Sequence, residues 1–198
     1  MFNLKSIILN NDETFYNFAT GEKLSRKKRV IVKISLSIIL SFFFFNIGKD
    51  LINAVIAIYA ILIGFGFNIL FYLLTIKKED HKKDNSSIEH ELKVKKINKL
   101  TEELFYNVSY FNVIAVALVL LSLSFFVAES QNLASLKAHI MNSKTAFLFP
   151  HLLKIKLAIY IVFVFTFYST LIESAYTFLR TIGRVTFFFD QKIKIQSN

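Results

Sequence analysis

Glu173 stands alone as a charge within the long apolar run from Leu157 to Leu179, and that placement limits what it can do. A carboxylate in such surroundings is costly unless it faces a partner, a cavity or the interior of a bundle. Thr166, Ser169, Thr170, Glu173, Thr177, Arg180 and Arg184 recur at three- and four-residue steps, so on a helix they share one face. Two uses fit such a face. One is a polar stripe that lines a pore or ligand site. The other is a buried packing face on which Glu173 bonds to a neighbouring helix or pairs with Arg180 or Lys33. A second set, Asn53, Ala57, Ala60, Gly64 and Asn68, makes a stripe of small and amide residues. Small residues let helix backbones approach and amides bond across helices, with Asn112, Ala115 and Ser122 as the expected matching face. Gly64 and Gly66 leave room for a bend in Gly64-Phe65-Gly66-Phe67.

Little else in the chain suggests chemistry. There is no cysteine, so thiolate metal sites, cysteine nucleophiles and disulfide exchange drop out. His81, His90, His139 and His151 lie outside the apolar runs without ligand spacing, so no metal site is expected. Glu79 and Asp80 sit among lysines as a solvated loop. Neither a glycine-rich phosphate cradle nor a serine–histidine or serine–lysine pair is present. The expectation is a protein that is not an enzyme and needs no cofactor.

The elements that must position these residues are unusually long. Apolar residues make up 54% of the 198, while five glycines and one proline leave few places to turn. The 23 phenylalanines fit a lipid-facing chain with a strong codon bias. About 20 apolar residues span a hydrocarbon core near 30 Å thick, and a backbone in lipid must bond internally. Four runs qualify: 30–48, 51–76, 104–128 and 157–179. The fold class expected is all-α, a polytopic membrane protein with four transmembrane helices. Its parts are an N-terminal segment 1–29, a four-helix domain 30–180 and a tail 181–198. The basic stretch Arg26-Lys27-Lys28-Arg29 ahead of the first run resembles a signal peptide. The apolar core is too long, however, and Asn46 to Asp50 is a poor cleavage site, so a retained anchor is expected.

Charge fixes the expected orientation. With four spans, the two termini and the loop 77–103 share a side, and 19 of the 24 basic residues fall there, against five opposite. The positive-inside rule then places both termini in the cytoplasm. The formal charge of +10 is accounted for this way, and nucleic acid is not an expected partner.

Between the spans, residues 1–29 are expected to form one or two short helices at the membrane surface. The first two spans should make a tight hairpin with Lys49 and Asp50 at its tip. Ser86 and Glu89 match a capping box, and Ile88, Leu92, Ile97, Leu100 and Leu104 fall on one face beside Lys93, Lys95, Lys96 and Lys99. This pattern predicts one helix from about 87 to 128, the first third projecting into the cytoplasm. Ile88, Leu92, Lys95, Lys96 and Lys99 are the candidate docking residues for this protein's own N-terminal segment, a second copy or a cytoplasmic protein. In the external loop 129–156, Leu133, Leu136, Ile140 and Met141 suggest a short helix, and Pro150 a break. Val185 to Phe189 should lie in the interface, with 190–198 as a solvated tail.

The stretch Ile58 to Asn68, together with the polar, basic end of the fourth span, is similar to small four-span membrane subunits of bacterial anti-phage systems of the Kiwa type. The resemblance implies a homo-oligomer in the inner membrane that senses or perturbs the membrane and docks a cytoplasmic partner. It carries over no catalytic residues. A small ion channel or pore subunit, with the fourth-span stripe as its lining, and a non-conducting membrane anchor are the alternatives from the residues alone. Membrane lipids are the remaining expected partner.

Overall fold

A computed structural model describes residues 4–16, 22–23, 25–79, 88–130 and 149–196. The described residues form five helices: α1 (Leu4–Glu13), α2 (Arg26–Phe43), α3 (Lys49–Glu79), α4 (Ile88–Ser130) and α5 (Phe149–Gln196). The fold is all-α. Three of the helices are long and apolar enough to cross a membrane, over Lys49–Thr75, Ile97–Phe126 and Lys154–Asp190. These helices are compatible with a membrane protein. The expected capping residue Ser86 and the expected helix around Leu133 to Met141 lie outside the described residues.

Helix lengths follow from the absence of breakers. No proline interrupts the segment that forms α4, which runs 43 residues, about 64 Å at 1.5 Å per residue. At 48 residues α5 is longer still, about 72 Å. Two expectations fail on α5. Pro150 lies in its first turn, where proline's missing N–H costs nothing, so it opens the helix instead of breaking it. The supposed tail is helical as far as Gln196, because 181–196 contains no proline and only one glycine.

The expected first span also differs. α2 ends at Phe43, and five residues, 44–48, separate it from α3. Its apolar part, 30–43, covers about 21 Å of axis. The ending is enforced from a distance. Tyr168 Oη donates to the Phe44 carbonyl (3.0 Å) and Tyr160 Oη to the Phe45 carbonyl (2.9 Å). Two α5 tyrosines thus satisfy carbonyls that a continuing helix would have used itself.

Antiparallel neighbours pack in the order α2, α5, α4, α3, and no comparable contact closes α2 onto α3. The result is an open row of helices. Its main core joins α3, α4 and α5 through Ile52, Val55, Tyr59, Phe111, Ala115, Leu118, Val164 and Phe167. Phenylalanines fill much of this seam: Phe111 meets Tyr59 and Phe178, and Phe163 lies between Phe125 and Phe167. A smaller core of Leu73, Leu104, Val108 and Phe188, flanked by Ile97 and Leu100, lies toward one end. This end gathers the start of α2, the end of α3, the start of α4 and the end of α5. It is rich in Lys and Arg, and is called the basic end below.

Candidate functional site at the basic end

Glu173 is met by two helices. Lys33 Nζ of α2 donates to its Oε2 at 3.0 Å, and Tyr110 Oη of α4 donates to its Oε1 at 3.0 Å. Both carboxylate oxygens are therefore occupied, and Lys33 is the expected partner that the fold selects. Arg180 goes elsewhere. Its Nη2 donates to the side-chain carbonyls of Asn11 on α1 and Asn107 on α4. One turn on, Arg184 pairs with Glu103 (3.4 Å) and donates to the backbone carbonyl of Thr14.

These contacts fasten the N-terminal segment down. Thr14 Oγ1 lies within hydrogen-bonding distance of the Asn11 carbonyl (2.6 Å) and Asn107 Oδ1 (3.0 Å). Tyr16 Oη donates to Glu103 Oε2 at 2.5 Å. Burial, and then this bond to a carboxylate, push the Tyr16 phenol up to about 12. Phe15 is the centre of the arrangement. Its ring is 5% exposed and sits between two guanidinium groups, Arg29 at 3.4 Å and Arg180 at 3.6 Å from the centroid. A ring offers negative charge on both faces, so one phenylalanine holds two cations that would otherwise repel. Arg29 also pairs with Asp12 at 2.8 Å. Asn11, Asp12, Thr14, Phe15 and Tyr16 thus form a clasp across α2, α4 and α5.

The remaining stripe residues of α5 serve their own helix. Thr166 is exposed and donates to the Val162 carbonyl, Thr170 to that of Thr166, and Thr177 to that of Glu173. Ser169 is half-buried. Lys95 and Lys99 are exposed, whereas Ile97 and Leu100 already pack beside Phe188 and Leu73, so part of the α4 apolar face is covered from within. The side chains of Ile88, Leu92 and Lys96 lie outside what the structure describes.

The small-residue stripe on α3 faces the other way from its expected partner. Asn53, Ala57, Ala60, Gly64 and Asn68 are all exposed. Ile52, Val55, Tyr59, Gly66 and Leu73 are the buried set, meeting Asn112, Ala115 and the rest of the core. Of the two glycines only Gly66 is in close contact: a Cβ there would lie 2.9 Å from Asn112 Cγ, whereas one at Gly64 would meet nothing. Asn112 is 5% exposed, and neither its amide nitrogen nor its oxygen has a protein partner.

Residue-type searching along α5 found Glu173, Arg180 and Arg184 but missed Asn11, Asp12, Thr14, Phe15, Tyr16, Glu103, Asn107 and Tyr110. Glu103, Asn107 and Tyr110 carry a readable signal, since steps of four and three put them on one helical face. The clasp residues carry none.

The fold and site define an all-α protein whose long apolar helices are tied together at one end by interhelical ion pairs. No known family, curated protein or solved structure matches the chain.

Proposed function

We propose that this chain is an oligomeric, non-catalytic subunit of the bacterial inner membrane that works in defence against phage and docks a cytoplasmic protein at its basic end. In this reading α2, α3, α4 and α5 all cross the bilayer, and both termini lie in the cytoplasm. The 19-to-5 distribution of Lys and Arg supports that orientation. The defence role rests on the resemblance to Kiwa-type membrane subunits.

One observation carries the docking reading. The basic ends of α4 and α5 continue beyond the apolar core and are locked to the N-terminal clasp through Glu103–Arg184 and Asn107–Arg180. A rigid, charged end of this kind suits transmission of a membrane disturbance to a soluble partner. Exposed Lys95 and Lys99 are the charges it offers. A conducting role draws less support, because Glu173 and Arg180, the ionised members of the expected pore stripe, are taken up by Lys33, Tyr110, Asn11 and Asn107. A plain membrane anchor shares the same packing and differs in having no partner.

Phage plating on cells carrying the chain with its neighbouring genes tests the proposal. Reversal of both charges in Lys95→Glu and Lys99→Glu should abolish protection while the protein stays in the membrane at normal level. Undiminished protection by this variant removes the docking site from the account, and no protection by the unaltered chain removes the defence role.

A further inference from the structure

α2 is the least buried of the long helices. Only Ser37 along it is fully buried, and it meets the row mainly through Lys33 and the residues near its end. The four consecutive cations at its start divide by direction. Arg29 is half-buried and turned to Asp12 and Phe15, inside the clasp. Arg26, Lys27 and Lys28 are exposed, with the Arg26 side chain 78% exposed and only 3.7 Å from Asp12. Lys27 and Lys28 face no carboxylate among the described residues.

What lies beneath these charges decides their partner. On a helix the residues at i+4 sit one turn further along the same face. Lys27 therefore stands above Ile31, and Lys28 above Val32, both about two-thirds exposed. The exposed apolar surface then continues through Ile38 and Ile39 to Phe42 at 79%. The outer face of α2 thus offers a cationic head followed by about 21 Å of unbroken aliphatic and aromatic surface. That profile matches a phospholipid lying lengthwise, its phosphate at the cations and its acyl chains along the helix. An acidic soluble protein would engage the cations but leave the contiguous apolar strip uncovered.

We infer that the outer face of α2 is a binding site for an anionic phospholipid, with Arg26, Lys27 and Lys28 holding the headgroup phosphate and Ile31, Val32 and Phe42 the acyl chains. Because Arg26 also approaches Asp12, the headgroup lies beside the clasp, and its occupancy stabilises the seating of α2 against the row. This inference rests on the proposed membrane position of α2 and is independent of the defence role.

Thermal unfolding of the full chain in a neutral detergent, with added lipid, tests it. Phosphatidylglycerol should raise the midpoint by several degrees more than phosphatidylcholine. Arg26→Gln, Lys27→Gln and Lys28→Gln together should remove that difference. At about fivefold per basic residue near a charged surface, the triple variant should bind phosphatidylglycerol on the order of a hundredfold more weakly. None of the three side chains is buried, so the variant should match the unaltered chain in phosphatidylcholine. Equal stabilisation by both lipids overturns the headgroup site while leaving α2 in the membrane. A preference that survives the triple substitution overturns the assignment to these residues. The same shift from inorganic phosphate alone shows a free-anion site and overturns the lipid. Failure of the membrane reading itself would appear separately, as protein that stays in the soluble fraction without detergent.

Discussion

At the residue scale, Glu173 and Phe15 each serve more than one element. Removing the carboxyl group by Glu173→Ala leaves Lys33 and Tyr110 without their acceptor, and should cost about 2–3 kcal/mol. Glu173→Gln keeps an acceptor for Tyr110 and should cost about 1 kcal/mol, because only the charge pairing is lost. Denaturant unfolding in detergent micelles reads both. Equal losses would mean that Tyr110 contributes nothing. Phe15→Leu preserves apolar filling but removes the ring from between Arg29 and Arg180. A loss of about 1–3 kcal/mol is expected, since two cation–π contacts disappear and two like charges are left facing one another. Faster hydrogen exchange confined to 4–16 would be its signature. Tyr16 adds a pH dependence. Its phenol is held neutral in the folded state, so its contribution is fully present below pH 10, the ordinary tyrosine value. That contribution is lost as pH rises toward 12, when ionisation places a phenolate against Glu103. Comparing the alkaline unfolding of the unaltered chain with Tyr16→Phe isolates this residue; superimposable curves would contradict the contact.

At the element scale, most of the helix extents were legible because long apolar runs without proline or glycine leave no alternative to a helix. Two kinds of information were not. The end of α2 was hidden because Phe42 to Phe45 is as apolar as the helix before it, and the break depends on Tyr160 and Tyr168 more than 110 positions away. The direction of a stripe was hidden too. Asn53, Ala57, Ala60, Gly64 and Asn68 do share a face, but spacing gives a face without saying which neighbour it meets, and this one points outward. Clasp residues such as Asn11 and Thr14 are ordinary in sequence and gain meaning only from Asn107 and Arg180 across the fold. The α3–α4 seam yields a sharp test. Gly66→Ala drives a methyl group into Asn112 and should cost about 1–3 kcal/mol. Asn112→Ala removes a buried amide with no partner, so it should be close to neutral, the lost volume being offset by the lost polar penalty. In the Asn112→Ala background the added methyl group has space and its cost should vanish. A double-mutant cycle measures this, and an additive result would mean that the two residues do not meet.

At the scale of the whole molecule, an open row differs from a closed bundle in what it leaves uncovered. Only 17% of the most apolar window of α5 is buried, although α5 lies between two neighbours. Soluble surroundings would not tolerate so much exposed aliphatic surface, whereas lipid satisfies it at no cost. The same openness leaves wide faces for further copies of the chain, consistent with the proposed oligomer. One end of the row concentrates the ion pairs and the clasp, and the other is joined by the short 44–48 connection, so any disturbance of the lipid-embedded helices reaches the basic end through rigid helices.

The central claim is that α2 to α5 all cross the bilayer with the basic end inside. The natural absence of cysteine permits single-cysteine labelling without background. Lys5→Cys, Asp50→Cys and Lys99→Cys place exposed probes on α1, at the start of α3 and on the basic part of α4. In intact spheroplasts a membrane-impermeant maleimide should label position 50 only, with positions 5 and 99 reacting after permeabilisation. Labelling of positions 5 and 50 from the same side would contradict the account, because α2 would then not cross.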